Sequence, residues 1–123
     1  MNMLSRQDKG RQAEELAVRF LERRGFKVLA RNWRDRRGEL DIIAREGNEL
    51  CMVEVRSKSG DSPFLPEASL SPQKIARLTA AANRLLKKHR LHHLPLRLDL
   101  MVIDWDSREI KFYPAGIVPP SRP

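Results

Sequence analysis

A chain of 123 residues is long enough to bury one hydrophobic core and too short for a second domain of ordinary size. Its 24 Lys and Arg against 16 Asp and Glu leave a formal net charge of +8, which favours a polyanionic partner, most often nucleic acid or an anionic membrane surface. No apolar run approaches the roughly 18 residues that a membrane span needs, the N-terminal stretch lacks the apolar core of a signal peptide, and Cys51 stands alone, which excludes an internal disulfide; the expectation is a soluble, cytoplasmic protein with no membrane segment.

In chain order, Ser5 with Asp8 offers a capping arrangement, and Ala13, Leu16, Ala17, Phe20 and Leu21 then recur at helical spacing. At about 100° per residue, Glu14 falls on the flank of this apolar stripe beside Ala17 and Leu21, whereas Glu15 points away with Arg19 and Glu22. A carboxylate bordering a core either pairs with a basic side chain or is aimed at a site on the layer beneath. Gly25 ends the helix as a C′ residue, and Phe26, Val28 and Ala30 begin a strand by alternating with Lys27, Leu29 and Arg31. The stretch from Asn32 to Arg37 reads as a basic connection. Its Arg34, Arg36 and Arg37, with Arg31 before them and Trp33 among them, can track phosphates and stack on a base, though so basic a loop is also simply soluble.

The segment from Gly38 to Lys58 joins an apolar strand pattern to carboxylates that the pattern gives no reason to contain. Leu40, Ile42 and Ala44 alternate with Glu39, Asp41 and Ile43, a turn follows at Gly47-Asn48, and Leu50, Cys51, Met52, Val53 and Val55 resume the run. A hairpin closed at that turn sets Asp41 opposite Glu54, Glu39 opposite Arg56 and Ile43 opposite Met52, all on one face. Facing carboxylates repel, so a shared proton, basic neighbours or a divalent cation must offset them. Arg56 and Lys58, on the same face by the period of two, can do so as an ordinary solvated surface.

From Ser57 to Ser71 the periodicity is lost among Gly, Pro and Ser, which predicts a mobile loop. Ser71-Pro72 opens a second amphipathic helix through Ile75, Leu78, Ala82, Leu85 and Leu86, ending near His89. Lys74 in its first turn opposes the helix dipole, so it either pairs locally or serves a phosphate held at that end. Leu96 to Asp104 alternates as a strand, Asp106-Ser107-Arg108 turns, and Ile110 to Tyr113 forms an edge strand. Residues 1–113 thus make one domain, with 114–123 as a tail too rich in Pro to join the core. His89, His92 and His93 sit among Lys87, Lys88 and Arg90 and read as a solvated basic turn rather than a metal site.

Gly10-x-x-Ala13-Glu14-x-x-Ala17, Gly25-Phe26, Arg31-Asn32-Trp33-Arg34, Gly38-Glu39-Leu40-Asp41-Ile42-Ile43-Ala44, Val53-Glu54-Val55-Arg56, Lys74 and Arg97-Leu98-Asp99 together resemble the YraN-type family of uncharacterised bacterial proteins. That family looks like a branch of the PD-(D/E)xK nuclease superfamily and is similar to the Holliday junction resolvases. The resemblance spans about Gly10 to Ile103. It implies an α/β, restriction-endonuclease-like domain with a mixed central sheet flanked by helices, acting on DNA, with branched or damaged structures as candidate substrates and Mg²⁺ or Mn²⁺ as the cofactor. It further implies Asp41 and Glu54 as metal ligands, helped by the Val55 carbonyl and by Glu14 from the helix.

Arg56 stands where the family carries lysine; arginine cannot act as a base, but it can stabilise negative charge on phosphorus. Lys58 or Lys74 could supply the missing ammonium, since a site needs a cation at a point in space and not at a fixed place in sequence. Two rival readings stand beside the nuclease: a nucleic-acid-binding module that has kept the fold and lost cleavage, and a protein-binding scaffold. Monomer and homodimer are both left open.

Overall fold

A computed structural model describes residues 6–60 and 70–118, with the backbone alone for residues 6–9. The expected cap at Ser5, most of the Ser57–Ser71 loop and the end of the tail lie outside the described residues.

The first helix, α1 (Arg6–Arg23), buries Ala13, Ala17, Val18 and Leu21. Leu16, expected in this stripe, is 37% exposed, and Val18 takes its place. The buried face is therefore rotated toward the side that carries Glu14. Gly25 at φ +89° closes the helix, with the Phe26 N–H donating to the Leu21 carbonyl at 3.0 Å and the Gly25 N–H to that of Glu22 at 3.0 Å, a Schellman closure that turns the chain back onto the sheet.

Five strands follow: β1 (Lys27–Asp35), β2 (Gly38–Glu46), β3 (Glu49–Lys58), β4 (Leu96–Asp104) and β5 (Glu109–Tyr113), side by side in that order. Every pair is antiparallel except β3 and β4. A parallel pair needs a crossover, supplied by the second helix, α2 (Pro72–Lys88). The fold is the expected α/β one, a mixed sheet with helices on both faces. On the α1 face, Ala17, Leu21 and Phe26 pack with Ile42, Val53 and Met101; on the α2 face, Leu78, Leu85 and Leu86 pack with Ile43, Met52 and Leu100. Each such fully buried aliphatic side chain contributes about 1.5–3 kcal/mol.

Three expectations need correction. The basic stretch from Asn32 is not a connection: β1 runs on to Asp35, and only Arg36 and Arg37 turn. Its arginines hid a strand because they lie on an edge strand, where exposure is tolerated. Strict alternation also fails at one level of the sheet. Leu40 and Ile43, three residues apart, both join the α2-face core, as do Ala30 and Trp33 on β1. Between Ala30 and Trp33, Asn32 adopts φ +55°, and the pairing of Arg31 with Ile42 and of Trp33 with Leu40 sets Asn32 beside Asp41. Both strands are thus irregular at the level of Asp41.

The start of the tail, finally, does join the core. Ile117 is buried among the α2-face residues, its N–H donating to the Leu98 carbonyl at 3.2 Å. Gly116 makes this possible, because a Cβ there would sit 2.6 Å from the Tyr113 Cβ. The Ala115 N–H donates to Asp99 at 2.8 Å. Asp99 is wholly buried, and Arg97 donates to both of its oxygens at 2.8 and 2.9 Å, so one ion pair fixes the end of the fold.

Candidate active site

The hairpin forms in the expected register from Glu46 opposite Glu49 to Ile43 opposite Met52 and Ile42 opposite Val53, with Gly47 at φ +57° in the turn. Past Ile42 the ladder opens. The Val55 N–H donates to Asp41 Oδ2 at 2.9 Å instead of to a strand carbonyl. Asp41 thereby lies beside Glu54, close enough for that carboxylate to act on its charge. The other expected pair does not form, because Glu39 turns to Arg34 at 3.1 Å and Arg56 to Glu54 at 3.8 Å.

Glu54 is 7% exposed, and its Oε2 is buried without a hydrogen-bond partner. Two cations approach that oxygen, Lys74 Nζ at 3.6 Å and Arg56 at 3.8 Å. Both distances are too long for a hydrogen bond. Burial, and then the Glu54 carboxylate alongside, push Asp41 well above the usual carboxylate range, against the Val55 N–H and the Lys74 charge.

Of the two lysines considered as substitutes for a lysine at Arg56, α2 brings Lys74 to the carboxylates, while Lys58 turns to Asp104 at 3.6 Å. Lys74 is held by the cap of α2, where Ser71 Oγ accepts from the Lys74 N–H at 3.1 Å. The Nε of Arg56 is buried with no partner.

Glu14 lines the α1 side of the same place, in an open cleft of about 660 Å³ that also exposes Arg11, Asn32, Arg34, Asp41 and Ser57. Burial raises its pKa, the hydrogen bond from Asn32 lowers it, and the charge of Asp41 raises it again. Glu15 faces solvent and pairs with Arg31 at 2.7 Å and Arg19 at 3.7 Å. Among the described residues, no group of three or more His, Cys, Asp or Glu side chains is close enough to ligate one ion, so Glu14 stands at the cleft wall rather than inside the Asp41–Glu54 pair.

The basic residues read from the sequence divide. Arg34 lines the cleft, Arg36 and Arg37 form the β1–β2 turn, Arg31 is taken up by Glu15, and Trp33 is half-buried against the α2-face core instead of standing free in a loop. Sequence reasoning missed Asn32 and Ser57. An Asn inside a strand-like stretch, here between Arg31 and Trp33, gives a signal for positive φ, but nothing in the pattern marks Ser57.

A five-stranded mixed sheet between helices, opened at one strand level by a carboxylate pair, Glu54 buried and Asp41 half-buried, with a lysine and an arginine beside it, defines an α/β domain of the restriction-endonuclease-like kind. The chain belongs to the uncharacterised protein family UPF0102, the YraN type, whose profile matches residues 13–103. It is 36% identical over 105 residues to a UPF0102 protein of Dehalococcoides mccartyi, covering 85% of this chain and 87% of that one. Over 91 residues it is 45% identical to a relative from Roseiflexus castenholzii, covering 73% of each chain. Over 120 residues it is 37% identical to one from Anaeromyxobacter dehalogenans, covering 96% of this chain and 90% of that one. Among the described residues no helix is long and apolar enough to cross a membrane.

Proposed function

We propose that this protein is a divalent-metal-dependent nuclease acting on DNA, with Asp41 and Glu54 as its metal ligands. The observation that carries this reading is the buried Oε2 of Glu54 beside Asp41, which makes no hydrogen bond and has only the longer contacts to Lys74 and Arg56. A native fold rarely leaves a buried carboxylate oxygen unsatisfied unless a ligand takes it. The donor set fits Mg²⁺ or Mn²⁺: two carboxylates and the Val55 carbonyl are hard oxygen donors, and Mg²⁺ is commonly held by one or two carboxylates while water and substrate phosphate complete its shell. When bound, such an ion lowers the pKa of a water and polarises a phosphoryl oxygen.

The chain's own residues supply the rest. Lys74 and Arg56 stand where they can stabilise negative charge gathering on phosphorus, and both are drawn there by Glu54. Glu14 and Asn32 border the cleft through which water and DNA would enter. Arg34 supplies positive charge along its wall.

Arg56 favours a second reading, in which the fold binds DNA without cutting it, because a guanidinium cannot take a proton from water. Calorimetric titration of Mn²⁺ into the protein, with and without a branched DNA, separates the two. The nuclease reading expects a site lost in Asp41→Ala and tightened by DNA. DNA binding with no Mn²⁺ site in either state would favour the module, and no binding of either would favour a protein scaffold.

A further inference from the structure

We propose that Arg37, Lys74 and Arg77 form a phosphate subsite that holds the DNA backbone on the α2 side of the carboxylate pair, across the sheet from the large cleft. The identity of the ligand rests on the DNA reading above; the site itself stands on separate geometry.

The β1–β2 turn meets the start of α2 around a concavity of about 190 Å³, lined by these three cations with Gly38, Glu39 and Leu78. Glu39, the one carboxylate in the wall, is already 3.1 Å from Arg34. Among the described residues Arg37 and Arg77 have no carboxylate within ion-pair distance, and the first turn of α2 contains no acidic residue. Arg77 lies three positions after Lys74, on the same side of the helix. A helix N-terminus already carries partial positive charge, so cations gathered beside it repel unless an anion joins them. Phosphate suits such a place, since guanidinium groups can donate to it in pairs.

The subsite is also built in advance. Asp35 accepts from the Arg37 N–H at 2.9 Å, from the Gly38 N–H at 3.0 Å and from Arg84 of α2 at 3.0 Å, so the turn is clamped to the helix. Lys74 joins the concavity to the carboxylates, its Nζ being 3.6 Å from Glu54, so a phosphate held here would adjoin the reacting one.

The test measures anisotropy of a labelled branched DNA across a salt series, in EDTA, with the full-length protein. Arg37→Ala and Arg77→Ala should each weaken binding about 5-fold at low salt and lower the slope of log K against log salt by about one unit. Arg77→Lys should restore that slope. Lys88→Ala, about 20 Å away at the other end of α2, serves as the control for net charge and should leave the slope nearly as in wild type. Binding by wild type with slopes unchanged in both alanine variants overturns the subsite and leaves the nuclease reading intact. Reduced slopes, together with no cleavage of the same DNA by wild type in a parallel incubation with Mn²⁺, would uphold the subsite and sink the nuclease. Failure of wild type to bind DNA overturns both.

Discussion

At the scale of single residues, the half-buried Asp41 lies beside the buried Glu54. Asp41 holds its proton well above the usual carboxylate range because burial, and then Glu54, disfavour its charge. The folded protein therefore keeps a proton that the unfolded chain releases. The stability this provides is full below the ordinary Asp value of about 3.9 and is lost as pH rises through the raised folded value. Metal-free wild type should accordingly lose roughly 5 °C more in Tm than Asp41→Asn between pH 5 and pH 8. Thermal melts in a chelator check this, and parallel curves would contradict it. Lys74 and Lys58 make a second comparison, since one reaches Glu54 and the other Asp104. Lys74→Ala should cut any metal-dependent cleavage about 100-fold or more, while Lys58→Ala should change it by no more than about 3-fold. Equal losses in single-turnover assays would remove Lys74 from its assigned place.

At the scale of elements, the parts that could be read early are those whose pattern had one physical meaning. The α2 helix has a Ser-Pro start and an unbroken apolar stripe and formed as read, and the β2–β3 hairpin, with its Gly-Asn turn between alternating runs, formed in the expected register from the turn as far as Ile42. The extension of β1 could not be read, because an edge strand that buries little of either face carries no alternation to see. The Pro-rich tail misled for another reason. Ile117 gains its place through Gly116 and the Ala115 bond to Asp99, contacts distant in sequence. Ile117→Ala should therefore destabilise the fold by about 2–4 kcal/mol, and urea unfolding with a midpoint unchanged from wild type would show that the tail does not belong to the core.

For the molecule as a whole, several of the positive charges gather around one level of the sheet. The strands open at Asp41, the α1-side cleft brings Arg34 and Glu14 to that level, and the α2-side concavity brings Arg37, Lys74 and Arg77. The carboxylates were legible in the sequence because they break an apolar pattern; the residues around them were not, since Asn32, Ser57 and Arg77 come from three elements that only the fold assembles. The central claim is that Asp41 and Glu54 hold a divalent cation that cuts DNA. Incubating an end-labelled branched DNA with wild type, Asp41→Asn and Glu54→Gln in Mn²⁺, and with wild type in EDTA, tests it most directly. The account predicts cleavage by wild type in Mn²⁺ alone, with all three proteins still binding the DNA; binding without any Mn²⁺-dependent cleavage, or cleavage that survives EDTA or either substitution, would contradict it.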